Sequence, residues 1–132
     1  MSAVLDASAP LAYLNDEPGA RRVEAVLAEG AVIGAANWAE VLSRVSDAGI
    51  APPRLVAELT EAGLVGTALR IEPLLPVDGE RIVGLRPVTR RQGLSLGDRA
   101  CLALALRLQA PVLTTDRTWG RLRLPLEIVT LR

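Results

Sequence analysis

Four acids, Asp6, Glu40, Asp98 and Asp116, are the residues of this sequence best placed to do chemistry. Asp6 ends the apolar run Ser2-Ala3-Val4-Leu5, and Asp116 ends the β-branched run Val112-Leu113-Thr114-Thr115. Glu40 and Asp98 are expected in the first turns of two strongly apolar helices. An acid in such a place meets the core edge unless a cation awaits it. Four carboxylates in one cleft would repel one another and raise their own pKa values, so a bound cation is the economical counter-charge. An all-oxygen site suits Mg²⁺ or Mn²⁺ and does not suit zinc. Two such ions about 4 Å apart can activate a water and stabilise the leaving oxygen of a phosphodiester. Ser8 and Thr115, each close to a run-ending acid, are candidates for orienting metal-bound water or the carboxylates.

Each acid also has a purely structural reading. Asp6 can cap a helix, Glu40 can pair with Arg44, Asp98 can complement a helix N-terminus and Asp116 can form a turn. For Ser8 and Thr115 those readings are a helix cap and an ordinary strand threonine.

Composition removes most competing chemistries. All 15 basic residues are arginine, and the chain has no histidine or lysine. Coding bias toward Arg, Ala and Gly codons accounts for that usage. Serine-histidine and cysteine-histidine sites, lysine Schiff bases and histidine zinc sites are all excluded. The single cysteine, Cys101, cannot form an intramolecular disulfide, and in its apolar helix it reads as a small core residue. With 15 acids against 15 bases the formal net charge is +0, so any nucleic-acid affinity must come from local patches. No signal peptide or long charge-free apolar run is visible, which makes a cytoplasmic protein with no membrane association the expectation.

The elements that must bring the acids together are legible as a strand, helices, a strand and a helix over the first third of the chain. Ser8 and Pro10 read as the start of a helix after Asp6, and residues 19–30 have a helical period. Ala31-Val32-Ile33 reads as a buried strand, and residues 36–48 place Trp38, Val41, Leu42 and Val45 on one helical face. Pro52-Pro53 breaks that helix, another follows from Arg54 to Val65, and residues 70–74 look like a short strand or crossover. Asp78 can cap a helix running from Gly79 into Leu85, with Pro87 restarting or kinking the chain, so that one helix or two lie before Gln92. Residues 96–108 should form a central helix buried on most sides, and Glu127-Ile128-Val129-Thr130 a last strand. Strands separated by helices imply right-handed crossovers and a mostly parallel sheet in a three-layer α/β domain, with residues 1–132 as one domain. In such sheets the ligand crevice lies beyond the carboxyl ends of the strands, where all four acids can converge.

The order of these motifs, Asp6, then Asn37-Trp38-Ala39-Glu40, then residues 93–103 (GLSLGDRACLA), then Thr114-Thr115-Asp116, resembles the PIN-domain family and, within it, VapC-type toxins of toxin-antitoxin pairs. The stretch from Gly93 to Ala103 is the most specific element, and the motifs span nearly the whole chain. The resemblance implies an endoribonuclease needing Mg²⁺ or Mn²⁺ that leaves a 5′-phosphate and a 3′-hydroxyl. Asp6, Glu40 and Asp98 would be the principal metal ligands, Asp116 would complete the cluster, and Asn37 would be a polar residue facing the same crevice. It further implies a homodimer and a cognate antitoxin protein whose C-terminal segment covers the groove.

Arg86, Arg90, Arg91 and Arg99 near Asp98, and Arg117 and Arg121 after Asp116, are candidates for holding RNA phosphates, or else line solvated helix faces. Trp38 reads as core, while Trp119 could pack inside or stack on a base. A haloacid-dehalogenase-like phosphatase would need a second Asp where Ser8 stands, and a lysine; a response-regulator receiver fails for the same lysine and for want of an acid pair. A non-catalytic acidic groove that binds a partner peptide is the alternative of a different class.

Overall fold

The computed structural model describes residues 2–132. Five strands, β1 (Ala3–Leu5), β2 (Ala31–Gly34), β3 (Leu69–Glu72), β4 (Val112–Thr114) and β5 (Ile128–Thr130), form one sheet in the order β3-β2-β1-β4-β5. Every pairing is parallel. The helices between them are α1 (Ser8–Leu14), α2 (Ala20–Glu29), α3 (Ala35–Asp47), α4 (Pro52–Glu61), α5 (Pro76–Thr89) and α6 (Leu96–Leu108), with a 3₁₀ helix at Arg117–Arg121. The three-layer α/β architecture expected from the alternation of elements is the observed one.

The alternation of side chains along each strand divides the core in two. Leu5, Ile33, Leu69 and Leu113 face one way and pack with Val23, Leu27, Trp38, Val41 and Leu55 from α2, α3 and α4. Val4, Val32 and Val112 face the other way, against Cys101, Leu102, Ala105 and Trp119. On that side α6 lies on the sheet, and α5 packs against α6 through Ile82 and Leu85. Burial on both faces explains why these strands read as short apolar runs rather than as alternating ones. No helix among the described residues is long and apolar enough to cross a membrane.

Several boundaries differ from the sequence expectation. Ser8 does not cap α1: the N-cap is Ala7, and the side chain serving that helix end is Asp6, whose Oδ1 accepts from the Ala9 N–H at 3.1 Å. Pro52 and Pro53 both break α3's continuation and open α4, because a proline at the first helical positions loses no hydrogen bond. Helix α5 begins at Pro76, three residues before Gly79, and continues unbroken past Pro87 to Thr89 as one helix. Asp78 is its third residue and reaches back to accept the Leu75 N–H at 2.8 Å.

The same Asp78 is buried and takes two hydrogen bonds from Arg107 of α6, at 3.0 and 3.2 Å. Burial pushes the Asp78 carboxyl up, but the bonds from Arg107 and Leu75 and the charges of Arg107 and Arg81 outweigh it and hold the pKa below the ordinary value. This pair fastens the start of α5 to the last turn of α6.

Candidate active site

Strand β1 is the switch point of the sheet: β2 lies on one side, β4 on the other, and the chain leaves it at Asp6. A crevice is expected at such a point, beyond the carboxyl ends of the strands. The register Val4↔Val112 and Leu5↔Leu113 sets Asp6 opposite Thr114, with both side chains on the α6 face. The Thr114 hydroxyl donates to Asp6 Oδ2 at 2.5 Å, the Ser8 hydroxyl donates to Asp6 Oδ1 at 2.6 Å, and the Ala9 N–H donates to the same Oδ1. Asp6 is 5% exposed. Burial is the main reason its pKa is raised from 3.8 to about 6; the three hydrogen bonds pull it down and the charge of Asp98 pushes it up.

Helix α6 delivers Asp98. Ser95 caps it, accepting the Asp98 N–H at 3.1 Å, while Asp98 Oδ2 accepts the Ser95 N–H at 2.9 Å. This reciprocal pair satisfies two donors of the first turn and directs the carboxylate to the crevice end of the helix. Helix α3 delivers Glu40 from its second turn, not the first as the sequence suggested, since α3 begins at Ala35. Glu40 makes no ion pair with Arg44 among the described residues. Asn37 of α3 is buried and donates to the Gly97 carbonyl at 2.9 Å, which ties the starts of α3 and α6 together. Glu40 Oε1 lies 3.2 Å from where a Cβ on Gly97 would stand.

Cys101, one turn beyond Asp98 and fully buried, reports on the convergence. Its thiol is pushed well above the ordinary pKa by burial and then by the charges of Asp6, Asp98 and Glu40. The charges of three acids, one just after β1 and the others on α3 and α6, are thus all felt at the same buried thiol. Asp116 stands apart from that set. It is exposed, and its Oδ1 accepts from the Thr118 N–H at 2.9 Å and hydroxyl at 2.7 Å. Its link to the others runs through its own N–H, which donates to Thr114 Oγ1 at 3.1 Å. Among the described residues no three Asp, Glu, His or Cys side chains are already closed around one point as metal ligands.

Two supporting residues stand elsewhere than the sequence placed them. Thr114, not Thr115, touches Asp6; Thr115 contributes its backbone N–H to Ser8 Oγ at 2.9 Å. Arg99 does not face a substrate. It is buried against α5, where its guanidinium donates to the Ile82 carbonyl at 2.9 Å. Trp38 and Trp119 are both core residues, and neither presents an indole for stacking. Gly97 belongs to the site as well; its place directly before Asp98 is the only sign of that in the sequence, whereas the crowding of Glu40 by a side chain there is a property of the fold.

Residues 3–124 match the PIN domain family. The chain belongs to the PIN-domain family. No curated protein matches it by sequence. Among solved structures, this PIN domain is similar to a chain of VapBC2 from Rickettsia felis bound to a DNA fragment from their promoter, at TM-score 0.73 and 17% identity over 100% of both chains. DNA-bound VapBC from Salmonella typhimurium gives 0.72 and 16%, covering 100% of this chain and 99% of that one. A toxin-antitoxin complex from Klebsiella pneumoniae gives 0.67 and 20%, covering 96% and 100%. At these identities the likeness is one of fold, along the full length of the PIN domain.

Proposed function

We propose that this PIN domain is a divalent-metal-dependent endoribonuclease and the toxin of a toxin-antitoxin pair. The observation that carries the reading is that Asp6 ends the central strand at the switch point of a parallel sheet, while the starts of α3 and α6, which bear Glu40 and Asp98, are tied together through Asn37 and Gly97, with Glu40 Oε1 3.2 Å from where a Cβ on Gly97 would stand. Full-length likeness to chains of toxin-antitoxin complexes supports the biological context.

The side chains present fit Mg²⁺ or Mn²⁺. The donors are carboxylate oxygens, no nitrogen or thiolate ligand is available, and Cys101 is held neutral by its surroundings. Asp6, Glu40 and Asp98 would hold the ion, and Asp116 would act from the rim. Bound there, the ion would supply counter-charge for the RNA phosphate and acidify a water. The chain's own part is to fix the carboxylates. Ser8, Ala9 and Thr114 hold both oxygens of Asp6, Ser95 aims Asp98, and Asn37 sets the spacing between α3 and α6. Burial raises the pKa of Asp6 to about 6 in the absence of an ion, so an ion bound there would have to displace that proton, and its binding should weaken as the pH falls through this range. A homodimer and a cognate antitoxin over the groove complete the proposal.

The test is cleavage of RNA by protein freed of any partner, with Mg²⁺, with Mn²⁺ and with chelator. Cleavage should need the metal and fall at least a hundred-fold (about 3 kcal/mol of barrier) in Asp6→Asn and Asp98→Asn, with circular dichroism unchanged. Full activity in chelator, or in both variants, would sink the reading.

A further inference from the structure

Next to Asp116, an open cleft of about 770 Å³ lies between the C-terminal end of α5 and the 3₁₀ helix. Its walls are Pro87, Val88, Arg91, Gln92, Thr118, Arg121 and Arg123. Three guanidinium groups from two segments distant in sequence thus share one concavity, and no acid lines it. Arg91, Arg121 and Arg123 are exposed, and none has a carboxylate within ion-pair distance among the described residues. In a chain of zero net charge, an uncompensated group of this kind is a local positive field that attracts polyanions. Arginine's planar fork suits phosphate oxygens.

The position of the cleft selects its ligand. Thr118 forms part of the wall, and the same residue donates both its N–H and its hydroxyl to Asp116 at the rim of the acidic site. A strand whose scissile bond sits at the carboxylates would pass over Thr118 directly into the arginines. We infer that this cleft holds the sugar-phosphate backbone of the RNA flanking the cleavage point, with Arg91, Arg121 and Arg123 as the groups that grip its phosphates. This rests on the ribonuclease reading and adds to it a route for the substrate. The arginines engage the backbone, so they set register and affinity and leave base choice to other groups.

The experiment measures binding apart from cleavage. A fluorescent single-stranded RNA oligonucleotide is titrated in chelator, over a series of salt concentrations, with wild-type protein, with an Arg91→Gln, Arg121→Gln, Arg123→Gln triple variant and with each single variant. A control carries Arg21→Gln, Arg22→Gln and Arg54→Gln, the same charge change on exposed positions elsewhere. The cleft variant should bind about ten-fold or more weakly, and its slope of log affinity against log salt should be shallower by about 2, near 0.7 for each phosphate that is no longer neutralised. The single variants each show part of that change in slope, so a folding defect in the triple protein does not remove the answer.

Equal weakening in the control, or unchanged binding in the cleft variants, overturns the inference. So does binding of RNA that is unchanged while binding of a poly-glutamate peptide disappears, which would assign the cleft to an acidic protein segment. If wild-type protein cleaves no RNA but the cleft variants still bind RNA more weakly, the nuclease reading fails and the cleft stands. If wild-type protein cleaves RNA and the variants match it in both assays, the reverse holds.

Discussion

Asp6 is the costliest residue of the site. Its carboxyl titrates near 6 in the folded chain against 3.8 when exposed, a difference of about 3 kcal/mol between its two protonation states. The sign follows from which state holds the proton more tightly, and here it is the fold. Below pH 3.8 Asp6 is protonated in both states and its titration costs nothing; between 3.8 and about 6 the unfolded chain releases the proton first, and above 6 the full cost applies. Asp6→Asn keeps an oxygen for Ser8 and Ala9 and an amide that can donate to Thr114, without the charge. In chelator the variant should therefore melt about 10 °C above wild type at pH 7.5, a gap that shrinks toward pH 4. Calorimetry across that range checks it, and a variant less stable at both ends would contradict it.

Thr114 shows where residue-level reading stopped. Run-ending acids, a helix-start acid and an absent histidine are properties of the sequence alone, so Asp6 and Asp98 could be singled out. Choosing Thr114 over Thr115 needs the pairing of β1 with β4, since a shift of one residue turns a side chain to the opposite face. The pattern Val4-x-Asp6 beside Val112-x-Thr114 held that parity, but only for a reader who already knew the two strands were neighbours. Arg99 failed for a related reason. Next to Asp98 in sequence, it lies about 100° round the helix from it and so faces α5.

At the scale of elements, the site is set by the approach of α3 to α6, and Gly97 permits that approach. A Cβ there would stand 3.2 Å from Glu40 Oε1 and 3.8 Å from Ser95 Oγ. The carboxylate is the free end of a flexible side chain and can move aside. Alanine also favours a helix over glycine by up to about 1 kcal/mol. Gly97→Ala should thus leave the melting temperature equal or higher while lowering RNA cleavage several-fold, because Glu40 is displaced. Paired melting and activity measurements test this; loss of stability together with activity would mean that Gly97 serves only the fold. The long apolar helix α6 was legible from composition, whereas the start of α5 was not. Asp78 looked like a cap from sequence because its role, reaching back from the third position, leaves the same residue type near the same helix end.

At the scale of the molecule, the surface is uneven in character. Leu74, Leu75, Val77 and Val83, all in or just before α5, are 51%, 38%, 51% and 70% exposed, a concentration of apolar groups on the outermost helix. Exposed apolar side chains gathered on one helix favour burial against a partner, and in the proposed homodimer they would be the part of the surface to cover. Val83→Arg should then shift light-scattering mass from dimer to monomer at micromolar concentration without changing the circular dichroism. A single mass, that of the monomer, for both proteins would remove α5 from any such contact.

The bonds from Thr115 to Ser8 and from Thr114 to Asp6 join residues 107 and 108 positions apart. They also join the end of β1 to the end of β4. β1 is the middle strand of the sheet and lacks one of its two neighbours until residues 112–114 exist. During synthesis, then, a growing chain carries Asp6 for 108 residues before the Thr114 that helps to hold it has been made. A fragment that stops short of β4 therefore contains Asp6, Glu40 and Asp98 but leaves β1 without one of its two neighbours and Asp6 without Thr114.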